Sequence, residues 1–230
     1  MITNLVLLAG GLATRLQPVS QTIPKSLIDI NGQPFIAHQL TLLKEQGITD
    51  IVICAGYLGE QIEKFVGNGH GFGLNIKYSY DGEKLLGTAG AIKKAFPLLP
   101  ETFFVMYGDS YLPIDFEQVS NFFESQNRQA LMTIIENNNQ WDKSNVIFSD
   151  GQITKYDKKD TVSEMRFIDY GLGIMTKKCF NNVIDNEVFD LASIYQSLVK
   201  QDELAGYDVK ERFYEIGSFS GIEEFKKYIN

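Results

Sequence analysis

The chain has 230 residues, 44% hydrophobic and 22% charged, a length and balance suited to one globular core with no forced split into domains. A formal net charge of -8 repels polyanions and no Lys/Arg block offsets it, which argues against nucleic-acid binding; no apolar run approaches the roughly 18 residues of a membrane span. Cys54 and Cys179 lack metal-ligand spacing and are expected as reduced, buried thiols, and the isolated His38 and His70 are not credible bases.

The N-terminal MITNLVLLAGG has neither a basic leader region nor a small-residue cleavage site, so it reads as a buried first strand of a cytoplasmic protein. Apolar runs then alternate with amphipathic stretches: Leu5 to Ala9, Pro34 to Glu45, Ile51 to Ala55, Gly59 to Phe65, Ile76 to Tyr80, Thr88 to Phe96 and Phe103 to Tyr107. That alternation predicts βαβ units and a mostly parallel sheet. In Pro34 to Glu45, Ile36, Leu40 and Leu43 recur at helical spacing, proline suits a helix start, and Gly47 marks the stop.

The second half predicts strands at Ala130 to Glu136, Asn145 to Phe148, Ile153 to Tyr156 and Tyr170 to Met175, an antiparallel addition to the sheet. The polar run Glu136 to Lys143 reads as a surface loop. Ser218 to Tyr228 predicts a closing amphipathic helix capped by Ser218 or Ser220.

The most informative segment follows the first strand: Gly10-Gly11, then Arg15, then Pro24-Lys25-Ser26-Leu27. Glycines after a strand let backbone N–H groups approach phosphate oxygens; Arg15 adds a forked cation and Lys25 a point charge suited to a reacting phosphoryl group. The dinucleotide spacing G-x-G-x-x-G is absent, and Lys25 follows Pro24 where a Walker loop needs glycine. Asp109 closes the strand-like FFVMY, at the carboxyl end of a parallel strand where ligands of open α/β sheets bind, a good position for Mg²⁺. Glycines in Leu86-Gly87-Thr88-Ala89-Gly90-Ala91 permit a flat base or ribose to lie close to the backbone.

GGLATRL followed by PKSL resembles the signature of the sugar-phosphate nucleotidyltransferases, with Ala13 where the pattern usually has glycine. The resemblance runs over essentially the whole chain, strongest in the first 110 residues, and the wider chain resembles the small bacterial members that guanylylate heptose 1-phosphate or uridylylate N-acetylmuramate 1-phosphate. It implies a Rossmann-like α/β fold, a mostly parallel mixed sheet with helices on both faces. It implies a single domain over 1–230, with a nucleotide part to about 112 and a sugar-phosphate part beyond.

By that resemblance Gly10, Gly11 and Thr14 would contact the triphosphate, Arg15 would hold the departing pyrophosphate, and Lys25 would bridge the reacting phosphates. Gly56, Asp81, Gly87 and Thr88 would contact the nucleotide. Asn145, Lys158, Asp169 and Gly171 would serve the sugar phosphate, and Asp109 with Glu215, which stands where the family has aspartate, would hold the metal. The expected partners are a nucleoside triphosphate and a sugar 1-phosphate, without nucleic acid or membrane, in a monomer or homodimer. Three rivals share parts of this pattern: a cytidylyltransferase for phosphocholine or another non-sugar phosphate, a non-catalytic nucleotide-sensing domain, and a metal-dependent glycosyltransferase. The last would carry a D-x-D pair that Asp109-Ser110-Tyr111 does not provide.

Overall fold

The structure, a computed structural model, describes residues 1–11, Leu16 and 21–230. In chain order the elements are β1 (Asn4–Leu8), a 3-10 turn at Lys25–Leu27, β2 (Asp29–Ile30), β3 (Gln33–Pro34), α1 (Phe35–Glu45), β4 (Asp50–Ala55), α2 (Gly59–Val66), β5 (Asn75–Tyr80) and α3 (Gly87–Lys94). They continue with β6 (Thr102–Tyr107), β7 (Ser110–Tyr111), α4 (Phe116–Ser125), β8 (Ala130–Glu136), β9 (Val146–Ser149), β10 (Gln152–Tyr156) and β11 (Phe167–Thr176). The chain closes with α5 (Leu191–Lys200), β12 (Leu204–Val209), β13 (Tyr214–Glu215) and α6 (Phe219–Tyr228).

A nine-stranded sheet runs in the order β5-β4-β1-β6-β11-β8-β12-β10-β9, so strands from both halves of the sequence share one sheet. β5, β4, β1 and β6 are parallel neighbours, and β11 joins β6 antiparallel, as the change of pattern in the second half predicts. The chain leaves β1 for β4 and β5 on one side, then returns to β6 on the other. The carboxyl ends of β1 and β6 therefore flank a point where the winding reverses, the place where open α/β sheets take ligands.

Both sheet faces are buried, which is why these strands read as apolar runs. Leu5 and Leu7 of β1 point to the layer that includes α1, α2 and α4, and Val6 to the layer that includes α3 and α5. Ile51 and Ile53 against Val52, and Phe104 and Met106 against Phe103 and Val105, repeat that alternation. A third cluster seats α6: Ile222 and Phe225 pack with Phe35, Leu42, Tyr111 and Ile216. Among the described residues no helix is long and apolar enough to cross a membrane.

Several expectations need correction. Pro34 belongs to the short β2–β3 pairing and α1 starts one residue later, so the ring fixes the entry to the helix rather than its first turn. Cys54 is buried, but Cys179 is only half-buried, its thiol donating to the Gln129 carbonyl at 3.3 Å. The run after β8 is the expected surface loop, with Asn138, Asn139, Gln140, Asp142 and Lys143 exposed, and it is anchored at its base. Asn137 is buried and donates to the Asp142 carbonyl at 2.7 Å and to Ser144 Oγ at 2.9 Å, while Trp141 packs edge-on against Phe213. Ser218 does cap α6, its hydroxyl accepting from Gly221 N–H at 3.0 Å.

Candidate active site

Four parallel strands deliver their carboxyl ends to one edge: Gly10 follows β1, Gly56 follows β4, Asp81 follows β5 and Asp109 follows β6 by two residues. A cavity of about 250 Å³ opens there, with Gly10, Gly11, Lys25, Asp81, Gly87, Thr88 and Asp109 on its walls. Seven of the residues singled out from sequence thus share one space. Gly56 abuts it from behind. A Cβ on Gly56 would stand 2.8 Å from the Gly10 carbonyl oxygen, so the two loops touch through bare backbone and a side chain there would force them apart. Among the described residues, none comes within 4 Å of where a Cβ on Gly11 would stand.

The strongest geometric finding is the ion pair between Lys25 and Asp109, 84 residues apart in sequence, with Nζ 2.7 Å from Oδ2. Pro24 holds the backbone extended ahead of the single turn that carries Lys25, and Gly108 N–H bonds the Leu8 carbonyl, fixing the Asp109 loop beside β1. Arg15 and Thr14 lie outside the described residues, so their expected roles rest on sequence alone.

Asp81 is 8% exposed; burial raises its pKa, against the Leu86 N–H that it accepts at 3.1 Å and the nearby Lys94. The Leu86 bond folds the following loop back over the cavity wall. Thr88 lines the cavity, but its hydroxyl is turned away, donating to Asp190 Oδ1 at 3.1 Å and accepting from Leu191 N–H at 2.8 Å. Cys54 also lines the cavity; burial, then the Asp81 charge, pushes its thiol up to about 12, so it is no nucleophile at neutral pH.

The expected sugar-phosphate residues form a second cluster. Asn145 Oδ1 accepts the Asp169 N–H at 3.0 Å, and Asp169 Oδ1 accepts the Gly171 N–H at 3.0 Å, so three separated positions lock one turn of backbone. Asp169 Oδ2 meets Lys158 Nζ and the Tyr156 hydroxyl, each at 3.4 Å. Burial disfavours the Lys158 charge, but Asp169 and Tyr107 outweigh it and hold the ammonium above the ordinary lysine range.

Tyr107 escaped the sequence reading. It lines the nucleotide-side cavity, its hydroxyl accepts from Lys158 Nζ at 3.4 Å, and the ammonium sits 5.1 Å from its ring centre. One side chain therefore touches both clusters. Burial pushes its phenol up to about 12, so it stays protonated at neutral pH. The only sequence signal was its place immediately before Gly108-Asp109 at the end of β6.

Glu215 is brought near Asp109 through the main chain: β13 pairs with β7, Glu215 opposite Ser110, and the Ile216 N–H bonds the Asp109 carbonyl at 2.9 Å. Its carboxylate is hydrogen-bonded close by in the chain, once at each oxygen. It accepts from the Gly217 N–H and from the Ser218 hydroxyl at 3.0 Å, at the entry to α6. Among the described residues no group of three or more His, Cys, Asp or Glu gathers as a ready metal cage.

Known proteins match this chain along nearly all of its length. The model of the family described as nucleotidyl transferase matches residues 4–209. An N-acetylmuramate alpha-1-phosphate uridylyltransferase from Neisseria meningitidis serogroup B is 30% identical, covering 95% of each chain. A D-glycero-alpha-D-manno-heptose 1-phosphate guanylyltransferase from Campylobacter jejuni is 28% identical, covering 92% of this chain and 93% of its own. Among solved structures, HddC from Yersinia pseudotuberculosis complexed with GMP-PN superposes with a TM-score of 0.81 at 24% identity, covering 100% of both chains. A UDP-glucose pyrophosphorylase complexed with UDP-glucose gives 0.78 at 18%, covering 100% of this chain and 98% of its own. At those identities the superpositions speak for the Rossmann-like fold alone. The family match over residues 4–209 and the whole-length relatives carry the further conclusion that this chain belongs to the nucleotidyl transferase family.

Proposed function

We propose that this protein transfers a nucleoside monophosphate from a nucleoside triphosphate to a sugar 1-phosphate, releasing pyrophosphate. The observation that carries this reading is the Lys25–Asp109 pair beside the glycine loop, a cation and an anion at the point where the sheet reverses its winding. An oxygen of the sugar phosphate attacks the α-phosphorus. The new P–O bond forms as the α–β bridging bond breaks, and both electrons leave with pyrophosphate. The nucleophile is already an anion, so no general base is needed; positioning and charge stabilisation suffice.

Each cluster has a part in this reaction. Backbone at Gly10 and Gly11, with Arg15 and Thr14, takes the triphosphate, and Lys25 follows the charge that builds on the reacting phosphoryl group. Gly56, Asp81, Gly87 and the main chain at Thr88 receive the base and ribose. Lys158, set in place by Asp169 and Tyr107, receives the sugar phosphate, with Asn145 and Gly171 shaping that turn. A domain of this kind takes 1–230 as one unit, a monomer or homodimer acting in the cytoplasm.

The donor chemistry at Asp109 fits Mg²⁺, which keeps several waters and takes one or two protein carboxylates together with substrate phosphates. Asp109 would be the principal ligand, and the bound ion would offset triphosphate charge. Glu215 would join through the lone pair left on each of its oxygens, with the bonds from Gly217 and Ser218 fixing the direction in which the carboxylate points. The phosphocholine alternative wants an aromatic cage for a quaternary ammonium, but Tyr107 and Tyr156 already flank the protein's own Lys158 ammonium, at 5.1 and 5.9 Å from the ring centres.

The test is a pyrophosphate-release screen that crosses the four nucleoside triphosphates with heptose, N-acetylmuramate and glucose 1-phosphates and phosphocholine. Release that requires a sugar 1-phosphate is expected. Hydrolysis without any acceptor, or nucleotide binding with no product from any acceptor, would overturn the transfer reaction.

A further inference from the structure

We propose that Asp190, which lies outside the cavity, is a positioning residue for the segment Asp81–Thr88, holding it in shape through Thr88. The inference rests on the reading that this segment receives the nucleotide. Its structural basis is the way α3 and α5 begin. The first turn of any helix carries N–H groups without a partner inside the helix. Here each helix start is completed by residues that lead into the other.

The Phe189 carbonyl accepts the Ala89 N–H at 2.9 Å and the Gly90 N–H at 3.2 Å, serving α3, while the Phe189 N–H bonds the Leu86 carbonyl at 2.9 Å. In the other direction Thr88 Oγ1 accepts the Leu191 N–H at 2.8 Å, serving α5. Asp190 Oδ1 closes the loop between them, accepting the Thr88 hydroxyl at 3.1 Å and the Ala192 N–H at 3.0 Å. One carboxylate thus lies at the electropositive ends of two helices, where a negative charge is stabilised. Gly87 is fitted to the same contact: its φ is +71°, and a Cβ there would stand 2.7 Å from the Phe189 carbonyl oxygen.

Two consequences follow for the nucleotide. The Ala89 and Gly90 amides and the Thr88 hydroxyl are already bonded within the protein, so the segment offers the cavity its main chain around Gly87 and the Asp81 carboxylate. That surface is tied at both ends, by the Leu86 N–H on Asp81 Oδ2 and by Thr88 on Asp190. A ligand surface ordered in advance spares the ligand the entropy of ordering it. Removing Asp190 shifts that ordering onto nucleotide binding, while Lys25, Asp109 and the Lys158 cluster keep their places.

The experiment is steady-state kinetics of Asp190→Ala and Asp190→Asn with both substrates varied, alongside amide hydrogen exchange at Ala89 and Leu191. For Asp190→Ala the expected result is a KM for the triphosphate raised about tenfold or more, with kcat and the KM for the sugar 1-phosphate within about twofold. Both amides should exchange faster in the free variant and regain protection when the triphosphate binds. Asp190→Asn keeps the Oδ1 acceptor and should recover most of the affinity. A folded Asp190→Ala with unchanged triphosphate KM, or with kcat and both KM values altered alike, would overturn the proposal. Asp81→Ala separates the two readings. If it raises the triphosphate KM while Asp190→Ala does not, the positioning role alone falls. If neither variant changes it, the nucleotide reading of the segment falls too.

Discussion

Lys25→Ala is the perturbation that bears most directly on the reaction. Lys25 Nζ lies 2.7 Å from Asp109 Oδ2, and the two side chains are 20% and 29% exposed, so the pair is neither buried nor freely solvated. A pair so placed contributes about 1 kcal/mol to stability, since solvent screens much of its attraction. In a chain of this size that amounts to a fall of roughly 2–4 °C in Tm. The same ammonium aimed at a phosphoryl group gaining charge contributes far more, about 2.7–4 kcal/mol by analogy with other preorganised donors, or roughly 10²–10³ in kcat. Turnover should therefore fall by that factor while nucleotide affinity changes by less than about tenfold. Stopped-flow or coupled pyrophosphate detection gives kcat, titration of the nucleotide in the absence of acceptor gives affinity, and a thermal melt checks folding. A folded variant with wild-type kcat, or one whose loss lies wholly in nucleotide affinity, would refute the placement of Lys25 at the reacting phosphorus.

Asp109→Asn should raise the Mg²⁺ concentration needed for half-maximal rate more than Glu215→Gln does, because the Glu215 carboxylate is bonded at the α6 entry; a Mg²⁺ titration in which Glu215→Gln shifts the midpoint equally would make it a full ligand. Tyr107→Phe removes the hydroxyl that accepts from Lys158 but keeps the ring, so it should raise the KM for the sugar 1-phosphate several-fold with the triphosphate KM nearly unchanged, and the reverse pattern would count against that assignment. Burial lifts the Cys54 pKa from 9.0 to about 12, so its contribution to stability is fully present below the lower value and lost as pH rises toward the upper. Across that window the wild type should lose about 1.4 kcal/mol per pH unit more than Cys54→Ala in denaturant unfolding, and parallel pH curves for the two proteins would contradict it. Gly56→Ala should cost nucleotide affinity and more than about 1 kcal/mol of stability, because its Cβ would stand 2.8 Å from the Gly10 carbonyl oxygen; unchanged values in urea titration and nucleotide binding would show that the two loops can part freely.

Sequence alone determined the parallel half of this protein and the residues of its glycine loop. Strands buried on both faces are written as apolar runs, glycines and Asp109 announce themselves at strand ends and Lys25 in the Pro24-Lys25-Ser26-Leu27 run, because those signals are local. α4, α5 and β12 were not legible. The aspartates Asp115 and Asp190 that begin the two helices are ordinary loop residues until a backbone N–H is seen to bond them, and β12 is defined by pairing parallel to β8, some seventy residues earlier. The same holds within the site. The family pattern names Lys158, Asp169 and Glu215, but only the folded chain decides that Asp169 and Tyr107 hold Lys158, or that the Glu215 carboxylate is bonded to the entry of α6. Thr88 sits in a recognisable motif, yet its hydroxyl is committed to Asp190, 102 residues away. Residue type and spacing specify which groups are available; hydrogen bonds between distant segments decide which of them remain free for a ligand, and those bonds exist only once the sheet has brought the segments together.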